Sequence, residues 1–337
     1  MADAEEAARA DPSGAFTFDV AGAATLTTAE RTWHAGRFEV LSLGELRARA
    51  SAARTPGARA RLWVLEGVSP ATDIGSLQAT TDGTLFQVAS QFNCLESPGP
   101  YVTPVMDYFQ DSTQGPRAAI SAFPGTLLRH YAAPGAAGER FVQATDERQI
   151  NLLSAACDPG LAMVRNGYLN PSLVIQPKAF ADALEARFDA IQVGVHDDVQ
   201  VALGYDWDGA VEGSEHRRIG QLFTSTLAGG SLPIFAPVCR QLLRAAYLGT
   251  LLAATTLGRT RVVLTLIGGG VFGNPIPLIW EAMQWALDEV EPILARDLDV
   301  VINSRTMLPR EVTLAAVRAR GGALLAFTQR GGAAILR

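Results

Sequence analysis

A glycine-rich segment with the composition of an anion site separates a buried strand pattern from a helix pattern. It consists of Gly268, Gly269, Gly270, Val271, Phe272, Gly273 and Asn274. Bare amides at a strand-to-helix turn can approach an anion closely, and the helix dipole favours negative charge at the same place. We call residues 268–274 the glycine loop and predict that it binds phosphate.

Two familiar nucleotide motifs do not fit the glycine loop. A P-loop would end in Gly-Lys-Ser/Thr, and no such triplet follows here. Three of the glycines match the spacing G-x-G-x-x-G, but too little chain follows them to complete a dinucleotide-binding half. A tight turn packed against a neighbouring helix would also use glycine, so that explanation stays open at this point.

Cys94 offers a second kind of chemistry, because a thiol beside a base can act as a nucleophile. Either His130 or His196 could supply the base, and His196 is followed by two aspartates. A free cysteine is more often a small buried hydrophobe. A cysteine-dependent hydrolase is therefore one hypothesis for this chain.

The composition excludes several classes of partner. Acidic residues outnumber lysine and arginine by 34 to 28, which argues against general nucleic-acid binding. The three cysteines and four histidines form no zinc pattern, and no apolar run is long enough to span a membrane. We therefore expect a cytoplasmic protein that contacts no membrane and carries no metal or other cofactor.

The elements that position these residues follow an alternating pattern. From about residue 60, strand-like and helix-like segments alternate, which predicts an α/β fold with a central mixed, largely parallel sheet between two helical layers. We expect residues 1–14 to form a disordered tail and residues 15–60 an N-terminal extension. Residues 61–337 would form the main domain, with a long insert at about 94–190.

Two segments of the chain resemble the ligand-binding loops of macrodomains, a family that binds ADP-ribose and in which many members remove it from macromolecules. Residues 270–275, Gly-Val-Phe-Gly-Asn-Pro, resemble the second phosphate-binding loop of that family. Residues 88–93, Val-Ala-Ser-Gln-Phe-Asn, match in part the family's Val-Asn-Ala-Ala-Asn. The resemblance implies a macrodomain-like fold, a diphosphate wrapped by the glycine loop, and Phe272 beside a distal ribose held by Asn93.

The resemblance also implies where hydrolysis of a ribosyl bond would take place. A carboxylate beside the distal ribose could orient or deprotonate water, and Asp111 is the first candidate, with Glu96 and Asn93 on the neighbouring loop. Asp111 could instead cap the turn at residues 112–113. The long insert resembles that of the larger poly-ADP-ribose glycohydrolases, although their Gly-Gly-Gly…Gln-Glu-Glu signature is absent.

Three further residues complete the predicted ligand contacts. Gln114 would contact the phosphate or ribose, Phe92 would pack on a sugar or base, and Asp73 would accept a hydrogen bond from the adenine amino group. The expected partner is ADP-ribose or an ADP-ribosylated macromolecule. An ADP-ribosyl hydrolase, a non-catalytic ADP-ribose reader and the cysteine hydrolase are the three functional hypotheses.

Overall fold

A single large sheet organises the chain. The computed structural model describes residues 1–135, 137–144, 148–205, 217–329 and 332–336. The strands within these residues are β1 (Phe16–Phe18), β2 (Ala24–Thr27), β3 (Thr32–Ser42), β4 (Ala60–Glu66), β5 (Leu85–Ala89), β6 (Ala133–Pro134), β7 (Arg140–Phe141), β8 (Gln192–Gln200), β9 (Arg218–Thr224), β10 (Arg261–Leu264), β11 (Leu298–Arg305), β12 (Ala323–Phe327) and β13 (Ala333–Leu336).

Ten α-helices accompany these strands in the described residues. They are α1 (Ala2–Ala10), α2 (Pro12–Ala15), α3 (Leu43–Ala52), α4 (Ile74–Thr80), α5 (Gln114–Ser121), α6 (Phe123–Tyr131), α7 (Pro177–Ala186), α8 (Ala236–Thr256), α9 (Ile276–Val290) and α10 (Arg310–Arg320). None of the helices in the described ranges is both long and apolar enough to cross a bilayer.

The sheet is parallel at its centre and antiparallel towards its edges. Among the described residues it has eleven strands in the order β1-β2-β3-β8-β9-β5-β10-β11-β4-β12-β13. The pairings from β9 through β5, β10, β11 and β4 to β12 are all parallel. The outer pairings are antiparallel. The predicted α/β fold with a mixed sheet is therefore confirmed.

Apolar patterning explains both the central strands and the helices that cover them. Strand β10 reads Arg-Val-Val-Leu, and its last three residues are buried, as expected for a strand covered on both faces. Helix α9 buries one stripe of its surface, formed by Leu278, Ile279, Ala282, Met283, Ala286, Leu287 and Val290. This stripe has the spacing of a helix packed on a sheet. The glycine loop lies between these two elements.

The N-terminal residues are ordered, so the predicted disordered tail is wrong. Helix α1 covers Ala2–Ala10 and buries Ala4 and Ala8, while α2 follows it directly. Alanines four residues apart share one helix face, and this small apolar face was hidden by the acidic residues around it. The predicted extension at 15–60 supplies β1, β2 and β3, and β3 pairs with β8 so that Phe38 faces His196. These strands therefore continue the main sheet.

The predicted insert at 94–190 supplies helices next to the sheet. Helices α5, α6 and α7 lie in it, and α6 packs closely on β8. A Cβ atom on Gly125 of α6 would lie only 2.7 Å from the His196 ring, so only glycine allows this approach. The start of α5 points to the carboxyl ends of the parallel strands, where the site described below is found.

Candidate functional site

A cavity of about 420 Å³ opens at the carboxyl ends of the parallel strands. Its walls come from the residues that follow β5 and β10, from the end of β11, from Thr226 after β9 and from the start of α5. Ligands of open α/β sheets bind at this edge. Because neighbouring strands lie about 4.8 Å apart, the four strand ends make an elongated groove suited to an extended ligand.

The glycine loop forms one wall of this cavity and is closed by its own last residue. The side-chain Nδ2 atom of Asn274 donates to the carbonyls of Leu227, at 3.0 Å, and Gly268, at 3.3 Å. Gly268 and Gly273 have φ angles of +72° and +67°, which glycine adopts without strain. Asn274 therefore shapes the loop from behind and does not line the cavity.

The outer part of the loop offers unused hydrogen-bond donors. Within the described part of the chain, the amides of Gly270, Val271 and Phe272 take no backbone hydrogen bond. All three residues line the cavity, and a Cβ atom on Gly270 would meet open space. Gly269 serves a different purpose, since a Cβ there would lie 3.0 Å from Ile279 of α9. The packing explanation therefore applies to Gly269, whereas phosphate binding by the amides of residues 270–272 stays a prediction.

Glu96 presents a buried carboxyl group to the cavity. The residue is 4% exposed, and its backbone amide donates to the Tyr108 hydroxyl at 2.8 Å. Its Oε2 atom lies 2.6 Å from where a Cβ of Gly115 would be, so the missing side chain of Gly115 makes room for it. Its Oε1 atom has no hydrogen-bond partner among the described residues.

Burial controls the charge of Glu96. Loss of solvent raises the pKa of Glu96 well above its usual range, while Arg129 opposes this rise and Asp111 adds to it. The carboxyl group therefore keeps its proton to a higher pH than an exposed glutamate. A protonated carboxyl beside a cavity can donate a proton to a ligand.

Asp111 and Gln114 also line the cavity, and both have structural hydrogen bonds. Asp111 Oδ1 accepts from the Thr113 amide at 2.9 Å, which is the capping contact named as the alternative for this residue. Gln114 Oε1 accepts from the Ile74 amide at 3.0 Å. These bonds hold both side chains at the start of α5, on the same wall as Glu96.

Three predicted ligand contacts lie away from the cavity. Asn93 donates to Gln149 at 3.1 Å and accepts from the Leu95 amide at 3.1 Å, so its side chain holds its own loop. Phe92 is 2% exposed and belongs to the core. Asp73 caps α4 and pairs with Arg117 at 3.4 Å. The structure therefore corrects these three predictions, because each side chain is already engaged within the protein.

Cys94 does not have the surroundings of a nucleophile. It is fully buried, its sulfur packs against Gly194, and burial raises the pKa of the thiol to about 12. At neutral pH the residue is therefore a neutral thiol, and it does not line the cavity. The hypothesis of a cysteine-dependent hydrolase loses its proposed nucleophile.

The end of β11 contributes three polar residues that the sequence analysis missed, Asn303, Ser304 and Arg305. Asn303 is 7% exposed and lines the cavity; its nitrogen donates to the Thr72 carbonyl at 3.0 Å. That bond fixes the orientation of the amide, because a carbonyl can pair only with the nitrogen. The Asn303 Oδ1 atom, which has no partner among the described residues, is then the free acceptor.

Arg305 places a positive charge in the same wall. Of the described residues that line the cavity, those with an acidic or basic side chain are Glu96, Asp111 and Arg305. Arg305 has a φ of +52°, an uncommon backbone conformation for a residue with a side chain. The run Asn-Ser-Arg directly after the apolar part of β11 was the available signal in the sequence.

An aromatic pair closes another side of the cavity. The rings of Tyr168 and Phe272 have centroids 5.9 Å apart. The Tyr168 hydroxyl donates to the Ser97 carbonyl at 3.1 Å, and the Phe272 carbonyl accepts from the Gly229 amide at 2.8 Å. The insert and the glycine loop are thus joined across the site. In the described ranges, no three His, Cys, Asp or Glu side chains are grouped to hold a metal ion.

Comparisons with known proteins bear on the fold. No model of a known protein family matches the sequence, and no curated protein matches it either. The structure is similar to that of poly(ADP-ribose) glycohydrolase from Thermomonospora curvata, with 16% identity, a TM-score of 0.50, and coverage of 95% of this chain and 98% of that one. The Deinococcus radiodurans glycohydrolase in complex with ADP-ribose aligns over 84% of this chain and 93% of its own, at 13% identity and a TM-score of 0.42. The chain therefore has the macrodomain-like α/β fold of the Thermomonospora curvata glycohydrolase.

Proposed function

We propose that this protein binds ADP-ribose, or an ADP-ribosyl group on a macromolecule, and hydrolyses the ribosyl linkage with Glu96 as the proton donor. The observation that carries the proposal is the Glu96 carboxyl group: the residue lines the cavity, its side chain is buried, burial raises its pKa well above the usual range, and its Oε1 atom has no hydrogen-bond partner among the described residues. The similar protein from Thermomonospora curvata is a poly(ADP-ribose) glycohydrolase, which supports the same class of substrate.

The binding half of the proposal rests on complementary charge. A diphosphate carries negative charge that backbone donors and a helix N-terminus stabilise. The free amides of Gly270, Val271 and Phe272 supply the donors, α9 follows the loop, and Arg305 supplies the positive side chain. Coulomb attraction is stronger in such a partly enclosed groove than in bulk water.

The strand order gives the ligand a direction. Glu96 follows β5 and Asn303 belongs to β11, while the glycine loop follows β10, which lies between those strands. With the diphosphate on the glycine loop, one end of the ligand lies near Glu96 and the other near Asn303. The free Asn303 acceptor suits an amino group, so the adenine is assigned to the β11 side and the distal ribose to Glu96.

The chemical step then follows from the two acids at the cavity. The bond between the anomeric carbon and the leaving oxygen breaks, its electron pair goes to that oxygen, and the Glu96 proton neutralises it. Water adds to the anomeric carbon, and the Asp111 carboxylate accepts the proton that the water loses. Exchange of protons with solvent returns both acids to their starting states.

The test is release of ADP-ribose from modified substrates. Purified protein is incubated with ribose–ribose polymer, with a serine-linked and with a glutamate ester-linked ADP-ribosyl protein, and the product is quantified by chromatography. We expect release from at least one substrate and a loss of roughly a hundredfold or more in Glu96→Gln, since general acid catalysis contributes that much. No release from any of the three by the wild-type protein would refute hydrolysis.

A non-catalytic reader remains the second candidate, and one observation favours it. One carboxylate oxygen of Asp111 already accepts a hydrogen bond from the Thr113 amide, as in a purely structural cap. Titration calorimetry with ADP-ribose separates the two functions. Binding without release from any substrate identifies a reader, and the absence of binding refutes both functions.

A further inference from the structure

A buried carboxylate on the first helix holds a turn next to the site. Glu5 of α1 is 5% exposed. Its Oε1 atom accepts from the Val105 amide at 2.5 Å and from the Tyr131 hydroxyl at 2.6 Å, and its Oε2 atom accepts from the Met106 amide at 2.8 Å. Val105 and Met106 begin the 3-10 helix Val105–Gln110, so Glu5 supplies acceptors for backbone amides that this short helix leaves free.

The same short helix carries the residue that holds the backbone of Glu96. The Tyr108 hydroxyl accepts from the Glu96 amide at 2.8 Å and lies 2.7 Å from His130 Nε2. A hydroxyl can accept two hydrogen bonds and donate one, so the tautomer of His130 sets the direction of the Tyr108–His130 hydrogen bond. Burial lowers the pKa of His130 to about 3, so the ring that pairs with the Tyr108 hydroxyl stays neutral.

The short helix also fixes the backbone of Asp111, the second acidic residue of the site. The Asp111 amide donates to the Tyr108 carbonyl at 3.1 Å, directly at the end of the helix. A movement of residues 105–110 would therefore displace Glu96 and Asp111 together. Glu96 depends on this support, since its Oε1 atom has no partner of its own among the described residues.

We propose that Glu5 and Tyr108 are positioning residues: Glu5 fixes the 105–110 helix, and Tyr108 on that helix fixes the backbone of Glu96 at the cavity. The inference rests on the role proposed for Glu96 above. Neither residue lines the cavity, so each acts through Glu96 and Asp111 and not on the ligand. Helix α1 therefore supports the wall of the cavity that contains Glu96 and Asp111.

Two variants test the proposal by separating turnover from binding. Tyr108→Phe removes the hydroxyl while keeping the ring, and Glu5→Gln keeps the shape while replacing one acceptor by a donor that faces an amide. Misplacing a catalytic group by about 1 Å lowers turnover by about a hundredfold. We expect kcat to fall roughly tenfold to a hundredfold in both variants, with the Kd of ADP-ribose within about twofold of wild type. Tyr131→Phe, which removes one of the three bonds to Glu5, should have a smaller effect in the same direction.

A matched control comes from another carboxylate that accepts a backbone amide. Glu45 accepts from the Ser42 amide at 2.8 Å at the start of α3 and does not line the cavity. Glu45→Gln should lower the melting temperature and leave kcat unchanged. If Tyr108→Phe and Glu5→Gln behave in the same way as this control, the positioning role is overturned.

Amide hydrogen exchange of residues 94–98 keeps this test independent of the proposed function. Both variants should exchange faster than wild type in this segment, whether or not the wild-type protein releases ADP-ribose. Unchanged exchange there overturns the positioning role. Faster exchange together with an inactive wild-type protein refutes the proposed hydrolysis and leaves the mechanical link between α1 and Glu96 intact.

Discussion

Glu96 is a buried residue whose side chain is expected to lower the stability of the folded protein. A buried carboxyl group with an unpaired oxygen loses hydration that no protein contact replaces. The nearest compensation is electrostatic, from the buried guanidinium of Arg129. Groups with such displaced pKa values are concentrated at functional sites, because acid–base chemistry needs them.

Replacing Glu96 by Gln should therefore make the protein more stable at neutral and alkaline pH while it removes turnover. The pKa of Glu96 is raised in the folded state, so the wild-type protein loses stability as the pH rises above about 4.3, the value in the unfolded chain. The advantage of the variant should grow by up to about 1.4 kcal/mol per pH unit until the folded-state pKa is passed. Urea unfolding at pH 5 and pH 8 measures it, and an advantage that stays constant between these two values would contradict the raised pKa.

Asn303 should select adenine through its free acceptor. Hypoxanthine has a carbonyl where adenine has an amino group, so inosine diphosphate ribose would leave the Asn303 oxygen unpaired. An unpaired buried acceptor costs about 1–3 kcal/mol, which predicts a preference of roughly tenfold or more for ADP-ribose. Calorimetry should show that Asn303→Leu loses this preference.

Arg305→Met is the control for that experiment. Arg305 is assigned to the phosphates, which ADP-ribose and inosine diphosphate ribose share. This change should therefore lower the affinity for both ligands by the same factor. An undiminished preference for ADP-ribose in Asn303→Leu would remove Asn303 from the base site.

At the scale of an element, the glycine loop combines two needs in one turn. Its first part packs on α9 and beside Thr226, whereas the backbone amides of its outer part face the cavity, where the proposed function places the diphosphate. A Cβ atom on Gly268 would lie 2.4 Å from Thr226, and the φ of +72° there disfavours any other residue. Gly270 has neither restriction, since its Cβ would meet open space.

Alanine substitutions at Gly268 and Gly270 should differ in their effect on the stability of the folded protein. Gly268→Ala should lower the free energy of unfolding by about 1–3 kcal/mol through backbone strain and the clash with Thr226. Gly270→Ala should change it by less than about 0.5 kcal/mol, so that any loss of ADP-ribose affinity reports on the ligand alone. Thermal unfolding with and without ADP-ribose distinguishes the two, and equal destabilisation by both substitutions would contradict this division of the loop.

At the scale of the whole molecule, two buried histidines join the insert to the sheet. His196 on β8 lies 2.7 Å from the Ala35 carbonyl and 3.0 Å from Arg129, which stacks on Phe223 at 3.6 Å. His130 on α6 pairs with Tyr108. Burial lowers the pKa of both rings, so the folded protein holds them neutral.

Mild acid should therefore destabilise the protein through these two histidines, an effect that the raised pKa of Glu96 opposes over the same pH range. Below about pH 6.5 the unfolded chain binds protons at both histidines while the folded chain does not, so stability is lost as the pH falls. The free energy of unfolding should decrease by up to about 1.4 kcal/mol per pH unit for each histidine. Denaturant unfolding at pH 7.0, 6.0 and 5.5 in the Glu96→Gln background, where the opposing titration of Glu96 is absent, measures this slope. His130→Gln, which keeps an acceptor for Tyr108, should reduce the slope by about half, and an unchanged slope would contradict a neutral buried His130.

Local patterns in the chain were enough to predict the sheet class, the glycine loop and the stripe of α9. Each of these depends on residues that are close in sequence: a run of apolar residues before the turn, glycines where amides must be bare, and a helical period after Pro275. Glu96, Asp111 and Gln114 were also named from the sequence, because they follow β5 on the segment that leads into α5. Their functional roles remain predictions.

Only the tertiary structure decided which polar residues face the cavity. Asn93 and Asp73 have suitable side chains for a ligand. Asn93 instead forms a hydrogen bond with Gln149 and Asp73 an ion pair with Arg117, and both partners are far away in the sequence. Asn303 and Glu5 were overlooked because their partners, Thr72 and Val105, are 231 and 100 residues away. A side chain's type and its neighbours in the chain determine what it can bind, whereas long-range packing determines which hydrogen bonds are already satisfied and which remain free for a ligand.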